Sequence, residues 1–412
     1  MQFNNMDGRI DRRGFLAGAG AFAGLASTSL AGGSVAPKDP GFNLVMLQLS
    51  GGNDGLSMVV PHADDIYHSL RPKTRHEAST VLRLDDYRGL HPGLRSLRSI
   101  WDDGKLAIVE GLGYANPLRS HFKSMDVWHT GHLDGRNSGP GWIGRLSASK
   151  WGLNAVPELA IHLGANTPYS VDSPTHPAIS VESPTGYRWF ADSAGVDAYA
   201  AAAELETATD EPHHRGRNRA LAQIRGLLHN AQESSVSIRA TSMRYTTSVA
   251  YPRTKLGASL RDAAAILQGG LGTRIISVEL AGFDTHADQR GRHANLMETL
   301  DEALGAFLRD LERSEVGRRT VVMAFSEFGR RAHENGSRGT DHGKAGPALV
   351  LGPLVKGGLY GRHPSLSELD SQGDLAYTTD FRSVYGTILE RGLGASQESV
   401  LGASYPLLRF LG

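Results

Sequence analysis

Two buried-strand signatures joined by one amphipathic helix constrain this chain more than any other feature of its sequence. The runs 274–280 (RIISVEL) and 320–325 (TVVMAF) are short, apolar and rich in β-branched residues. Between them, Leu296, Leu300, Leu304, Phe307 and Leu311 recur at three- and four-residue steps. That spacing predicts a helix over 294–311 with one face turned to a sheet. Strand, helix and strand in this order make a βαβ unit, so the expected class is α/β with a parallel sheet. The runs 43–49 (NLVMLQL) and 105–110 (KLAIVE) read as further strands, and 91–101 and 385–391 carry helical spacing.

Composition narrows the chemistry. The chain has 412 residues, 40% of them hydrophobic, which suffices for a sizeable core. Forty-three basic residues balance forty-three acidic ones, so nothing favours sequence-independent nucleic-acid binding. There is no cysteine. Disulfides, thiolate nucleophiles, Fe–S clusters and Cys-based zinc sites are thereby excluded. Any metal must be held by His, Asp, Glu, hydroxyl, amide or carbonyl groups.

Residues 1–36 read as an export signal. Arg12-Arg13 precede a weakly apolar run, 17–31, with small-residue cleavage sites after Ala31 or Ala36. The paired arginines mark the twin-arginine type. The run is too short and too rich in Gly and Ala to span a bilayer, and no later segment is apolar enough. The expected partner is the twin-arginine export machinery, and the expected location is periplasmic or secreted. The mature domain covers 37–412, with a cap or insertion at about 165–270. Within that insertion, 170–175 (SVDSPT) recurs as 180–185 (SVESPT), which reads as a surface hairpin or cap over a cleft. An Ala-rich helix at 193–210, a linker at 211–214 and further helical spacing at 221–231 follow.

Polar residues cluster where the strands end, the place where open parallel sheets bind ligands. The first strand runs into Gly51-Gly52-Asn53-Asp54-Gly55, the third into Gly282-Phe283-Asp284-Thr285-His286, and the fourth into Ser326-Glu327-Phe328-Gly329-Arg330. Gly339-Thr340-Asp341-His342-Gly343 follows in a glycine-flanked loop. Each motif alone also fits an ordinary turn or helix cap. Together, Asp54, Asp284, His286, Glu327, Asp341 and His342 supply four carboxylates and two imidazoles, a donor set for one or two divalent cations. Separately, Arg119-Ser120-His121-Phe122 precedes a helical stretch. Ser120 is there either a helix N-cap or a hydroxyl nucleophile at a positive helix end. Arg119 and His121 suit an anionic substrate.

These motifs, in this order, resemble the exported bacterial proteins grouped as the DUF1501 family. The resemblance covers roughly 43–411, and its pattern is similar to the alkaline phosphatase and sulfatase superfamily. It implies a three-layer α/β/α core with a two-metal site at the strand ends. Asp54 would then bind or bridge the first metal, Ser120 would match the nucleophile position, and Asp284, His286, Glu327, Asp341 and His342 would complete the metal set. Arg119, His121 and Asn53 would contact substrate. Ser326-Glu327 stands where alkaline phosphatases carry an Asp-His pair, so the metal could be zinc, magnesium, manganese or calcium. Without cysteine, the usual precursor of a sulfatase formylglycine is missing, which favours phosphatase or phosphodiesterase chemistry. The expected function is hydrolysis of phosphate or sulfate esters on an anionic small molecule or envelope polymer. The alternatives are a non-catalytic metal-containing binding or assembly protein, and an enzyme modifying carbohydrate or lipid of the envelope.

Overall fold

The computed structural model describes residues 41–152, 155–173, 175–188 and 230–412. The expected export signal, the expected Ala-rich helix at 193–210 and its expected linker lie outside these residues, as does most of 221–231. In chain order the strands are β1 (Asn43–Ser50), β2 (Val59–Val60), β3 (Leu82–Arg83), β4 (Gly89–Leu90), β5 (Leu106–Gly113) and β6 (Ala160–Leu163). β7 (Ile179–Val181), β8 (Ile275–Ala281), β9 (Thr320–Phe325), β10 (Gly346–Leu351), β11 (Gly358–Gly361) and β12 (Thr379–Asp380) follow. One nine-stranded sheet has the order β11-β5-β10-β9-β1-β8-β6-β7, with β12 also pairing to β5. β1 lies between β8 and β9 and is parallel to both. β10 is antiparallel to β9 and β5, so the sheet is mixed and mostly parallel. The class is α/β.

β1 shows why the fold has three layers. Its residues 43–47 are all buried, as a strand covered on both faces must be. Val45, Leu47 and Leu49 join one core, with Leu260 of helix Lys255–Gln268 and Leu300 and Phe307 of helix Gln289–Leu311. Leu44 and Met46 join the other, with Trp128 of helix His121–Thr130 and Trp142 of helix Trp142–Lys150. Successive side chains of a strand point to opposite faces, so one strand feeds two cores.

The helix expected over 294–311 begins at Gln289. Its first turn buries Gln289 and His293 among polar partners rather than in the apolar core, so hydrophobic spacing missed it. β5 continues through Gly111, where φ is +64°, although glycine there reads as a turn. No hairpin forms across 170–185 among the described residues. Tyr169 and Ser170 line a cleft, and β7 pairs in parallel with β6.

The end of β1 packs against the end of β8 so closely that only glycine fits. Gly51 has φ +118°, and a Cβ there would lie 2.5 Å from the Asp284 nitrogen. Gly51→Ala should therefore cost about 2–4 kcal/mol in denaturant unfolding, from backbone strain and overpacking together. Gly104→Ala, with φ +68° but nothing within 4 Å of the added Cβ, should cost only about 1–2 kcal/mol. Equal costs at the two positions would contradict the close approach.

Candidate functional site

The site is assembled by a buried arginine that hydrophobic patterning cannot see. Arg330 is 1% exposed. Its Nε donates to the Gly52 carbonyl at 2.6 Å and its Nη1 to the Thr340 carbonyl at 2.9 Å. Its Nη2 donates to the Gly51 carbonyl, to the Phe283 carbonyl at 3.0 Å and to Asp284 Oδ1 at 2.7 Å. One planar guanidinium thus ties the loops after β1 and β8 to the loop carrying Asp341 and His342. Burial opposes ionisation of Asp284, but the hydrogen bond from Arg330 prevails and brings its pKa down to about 2.

Around Asp284 three imidazoles converge. His342 Nε2 and His286 Nε2 each lie 3.0 Å from Asp284 Oδ1, and 3.0 Å from each other. His121 Nε2 lies 3.7 Å from the same oxygen. The outer nitrogen of each ring faces an acceptor. His342 Nδ1 donates to the Arg119 carbonyl at 2.9 Å, and His286 Nδ1 donates to Asp341 Oδ1 at 3.2 Å. His121 Nδ1 donates to Glu327 Oε1 at 2.7 Å, and that hydrogen bond raises the His121 pKa. A neutral imidazole has one N–H, so each ring spends its proton outward and turns a lone pair inward. Three lone pairs and a carboxylate oxygen facing one another repel unless a cation sits among them. Ligands about 2.0–2.1 Å from a metal lie roughly 2.9–3.4 Å apart, which the 3.0 Å triangle fits. Anchoring of the outer nitrogens by carboxylate or carbonyl is also the usual support of metal-binding histidines.

The other expected residues lie behind the histidines or apart from them. Glu327 is 1% exposed, and its Oε1 accepts from the Gly51 amide at 2.9 Å as well as from His121. Asp341 Oδ1 accepts from Asn335 Nδ2 at 3.0 Å as well as from His286, and the Asn335 bond is the main reason its pKa is lowered. Both carboxylates hold histidines. Asp54 makes no hydrogen bond or ion pair with the cluster among the described residues. Its Oδ2 pairs with Arg71 Nη1 at 2.5 Å and accepts from Ser57 at 2.7 Å and from Gln289. Its Oδ1 is buried with no hydrogen-bond partner among the described residues. Asn53 is 2% exposed, with its amide oxygen 3.0 Å from His293 Nε2.

His121, expected to touch substrate, belongs to the cluster. Ser120 occupies the N-cap position of helix His121–Thr130, yet its side chain makes no capping bond and is exposed. Arg119 Nη2 lies 3.4 Å from Asp374 Oδ2 with its side chain 28% exposed, so part of the guanidinium remains open to an anion. Sequence reasoning missed the roles of Arg330, Arg71, Gln289 and Asn335. Arg330 stood inside a quoted motif, but nothing local to it signals burial.

Breaking the Asp54–Arg71 pair leaves a buried charge. Arg71→Leu should destabilise the protein by about 3–5 kcal/mol in denaturant unfolding. Burial opposes ionisation of Asp54, but Arg71 outweighs it and holds the carboxyl well below the usual range. A folded pKa below the unfolded value of about 3.9 stabilises the protein above that pH and loses the contribution as pH falls through the folded pKa. The stability gap between wild type and Asp54→Asn should therefore be widest near neutrality and shrink below about pH 4. A gap that does not change with pH would contradict the pairing.

Solved structures give distant similarities. Ps i-CgsB in complex with k-i-k-neocarrahexaose is 11% identical with a TM-score of 0.40, covering 88% of this chain and 72% of that one. A protein of the alkaline phosphatase superfamily from Vibrio parahaemolyticus is 10% identical with a TM-score of 0.33, covering 87% and 72%. The phosphonate monoester hydrolase SpPMH from Silicibacter pomeroyi is 11% identical with a TM-score of 0.33, covering 88% and 77%. Similarity at this level assigns no chemistry. No curated protein matches the sequence. The family described as "Protein of unknown function (DUF1501)" matches residues 170–391, more than half of the chain, and the chain belongs to that family.

Proposed function

We propose that this chain is an exported, metal-dependent hydrolase of phosphate or sulfate esters, built around a divalent ion held by His121, Asp284 and His342, whose donor atoms lie within 4.8 Å of one another, with His286 3.0 Å from the last two. The observation that carries the reading is the orientation of the three imidazoles, each with its proton spent on an outer acceptor. Charge supports it. Asp284, Glu327 and Asp341 bring three negative charges and Arg330 one positive charge, which leaves two for a divalent ion to neutralise. Three imidazoles favour zinc or a similar transition ion over magnesium and calcium, which take oxygen ligands.

Such an ion supplies Lewis-acid polarisation of the ester's phosphoryl or sulfuryl oxygen. Arg119 would meet the remaining anionic oxygens. Ser120, whose hydroxyl is not spent on capping, is the proposed nucleophile. Its oxygen would bond to phosphorus or sulfur while the bond to the leaving alcohol breaks and the serine proton passes to that alcohol, and water would then release the acid and return a proton to Ser120. The resemblance of the sequence motifs to the alkaline phosphatase superfamily supports ester chemistry, and the histidine cluster lies at the strand ends, where open parallel sheets bind ligands.

Metal analysis of the purified protein should find about one equivalent of a transition ion per chain. His286→Ala and His342→Ala should lose it, Glu327→Gln should weaken binding about 10–100-fold, and Asp54→Asn should retain it. Zinc binding by His342→Ala at wild-type strength would sink the site. Ser120→Ala should keep metal and melting temperature while turnover of 4-nitrophenyl phosphate or sulfate falls by about three orders of magnitude or more. A fully metal-loaded wild type that cleaves no ester would transfer the reading to a non-catalytic metal protein. Export rests on Arg12 and Arg13. Replacing both with lysine should leave precursor in the cytoplasm, and normal periplasmic accumulation would contradict it.

A further inference from the structure

A second group of charges adjoins the histidine cluster, with Asp374 at its centre. Asp374 is fully buried, yet neither carboxylate oxygen has a hydrogen-bond partner among the described residues. Its chain neighbours fix its place. The Gly373 carbonyl accepts from the Ala332 amide at 3.4 Å, and Leu375 packs with Ala332 and Ala345. The Asp374 amide donates to Asp370 Oδ1 at 3.0 Å. The carboxylate thereby faces the residues beside Ala332 and Ala345, which are Arg331 and Lys344. Lys344 Nζ lies 3.8 Å and Arg119 Nη2 3.4 Å from its Oδ2, and Arg331 Nε lies 3.8 Å from its Oδ1.

These distances exceed those of an ion pair closed by hydrogen bonds. Elsewhere in the chain Arg382 grips Asp380 at 2.9 and 2.7 Å. Arg119 and Arg331 make no side-chain hydrogen bond among the described residues, so their N–H donors remain for another acceptor. Asp374 is closed to solvent, whereas the three cations are 26–33% exposed, so that acceptor arrives from the solvent side. Lys344 also pairs with Asp370. Three cations against two carboxylates leave one positive charge, which calls for an anion. Burial raises the Asp374 pKa despite the cations, and protonation there would only enlarge that surplus. The group shares its backbone with the histidine cluster. Arg119 stands two residues before His121, and its carbonyl holds His342 Nδ1 at 2.9 Å. The Arg331 amide donates to the Asp341 carbonyl at 3.0 Å, and Lys344 stands two residues after His342. Two guanidinium forks and an ammonium offer donors in more than one plane. A tetrahedral oxyanion can meet all three, whereas a carboxylate has only two oxygens, both in one plane.

We infer that Arg119, Arg331 and Lys344 form a binding site for a tetrahedral oxyanion, phosphate or sulfate, and that Asp374 is the positioning residue that aims the two arginines. The inference rests on the ester-hydrolase reading only for the source of that oxyanion, the acid group of the ester. Asp374 acts through its charge. It draws both guanidiniums to one place without consuming their donors.

Calorimetric titration of the full chain with phosphate, sulfate and acetate tests the site without turnover, on protein as purified and after chelator treatment. Phosphate or sulfate should bind saturably to both preparations, and acetate about tenfold more weakly. Arg331→Gln and Lys344→Gln should each weaken oxyanion binding about tenfold. Arg318→Gln, at an exposed arginine paired with Glu315, should leave it unchanged. Asp374→Asn supplies a test of sign. Removing a negative charge beside an anion would tighten binding, whereas loss of a positioning residue should weaken it about three- to tenfold. Each variant is compared at an unchanged melting temperature, and Arg331→Gln, partly exposed, carries the test should Asp374→Asn not fold. The inference is overturned if neither oxyanion binds, if acetate binds as tightly, if Arg331→Gln binds as the wild type does, or if Asp374→Asn binds more tightly. Because metal content is measured separately, loss of the oxyanion site with metal intact refutes this inference alone. Oxyanion binding by a chain that takes up no metal refutes the metal reading instead.

Discussion

The arrangement depends on Arg330. A guanidinium cannot shed its proton in a protein, so burying one demands acceptors on every side. Arg330 finds them in the carbonyls of Gly51, Gly52, Phe283 and Thr340 and in Asp284. Those acceptors belong to three loops far apart in sequence. Satisfying one side chain therefore brings the ends of β1 and β8 and the 339–343 loop to a common point, and it orients the carboxylate at the centre of the histidine cluster.

A division of labour between charges follows. Two arginines each neutralise one aspartate, Arg330 with Asp284 and Arg71 with Asp54. Asp284 keeps its outer side open, whereas Asp54 is enclosed. Glu327 and Asp341 spend their charge on histidines, fixing which nitrogen carries the proton. The same residue types that look interchangeable as metal ligands in the sequence thus hold three different positions: at the centre of the histidine cluster, behind a histidine and in a buried ion pair. What separates them is the neighbour each meets, and no neighbour in question is local in sequence.

The sheet was legible because its signal is local. Apolar strands read as continuous runs, and the helix facing them repeats its leucines every three or four residues; Asn43–Ser50, Thr320–Phe325 and Gln289–Leu311 lie close to the expected ranges. The cluster at the strand ends was legible for a topological reason, since chain leaving a parallel strand emerges on one edge. That reason selects a region without ranking the residues in it. Hence Asp284, His286 and His342 fall together at the expected edge, while His121 reaches the same point from a helix N-terminus. The buried polar groups were illegible, because Asp54 in an Asn-Asp-Gly turn looks identical whether Arg71 lies against it or not.

By itself the sequence determined the α/β class, the strands and helices that build it, the edge on which polar chemistry gathers, and the exclusion of every cysteine-based site. These follow from periodicity, composition and connectivity, which act over a few neighbouring residues. Tertiary structure alone decided which carboxylates face histidines and which face arginines, that His121 joins the cluster, and that a cleft leads away from it. Those outcomes depend on distances of about 3 Å between residues up to hundreds of positions apart, such as His121 and Glu327. Only the packed fold brings such pairs together.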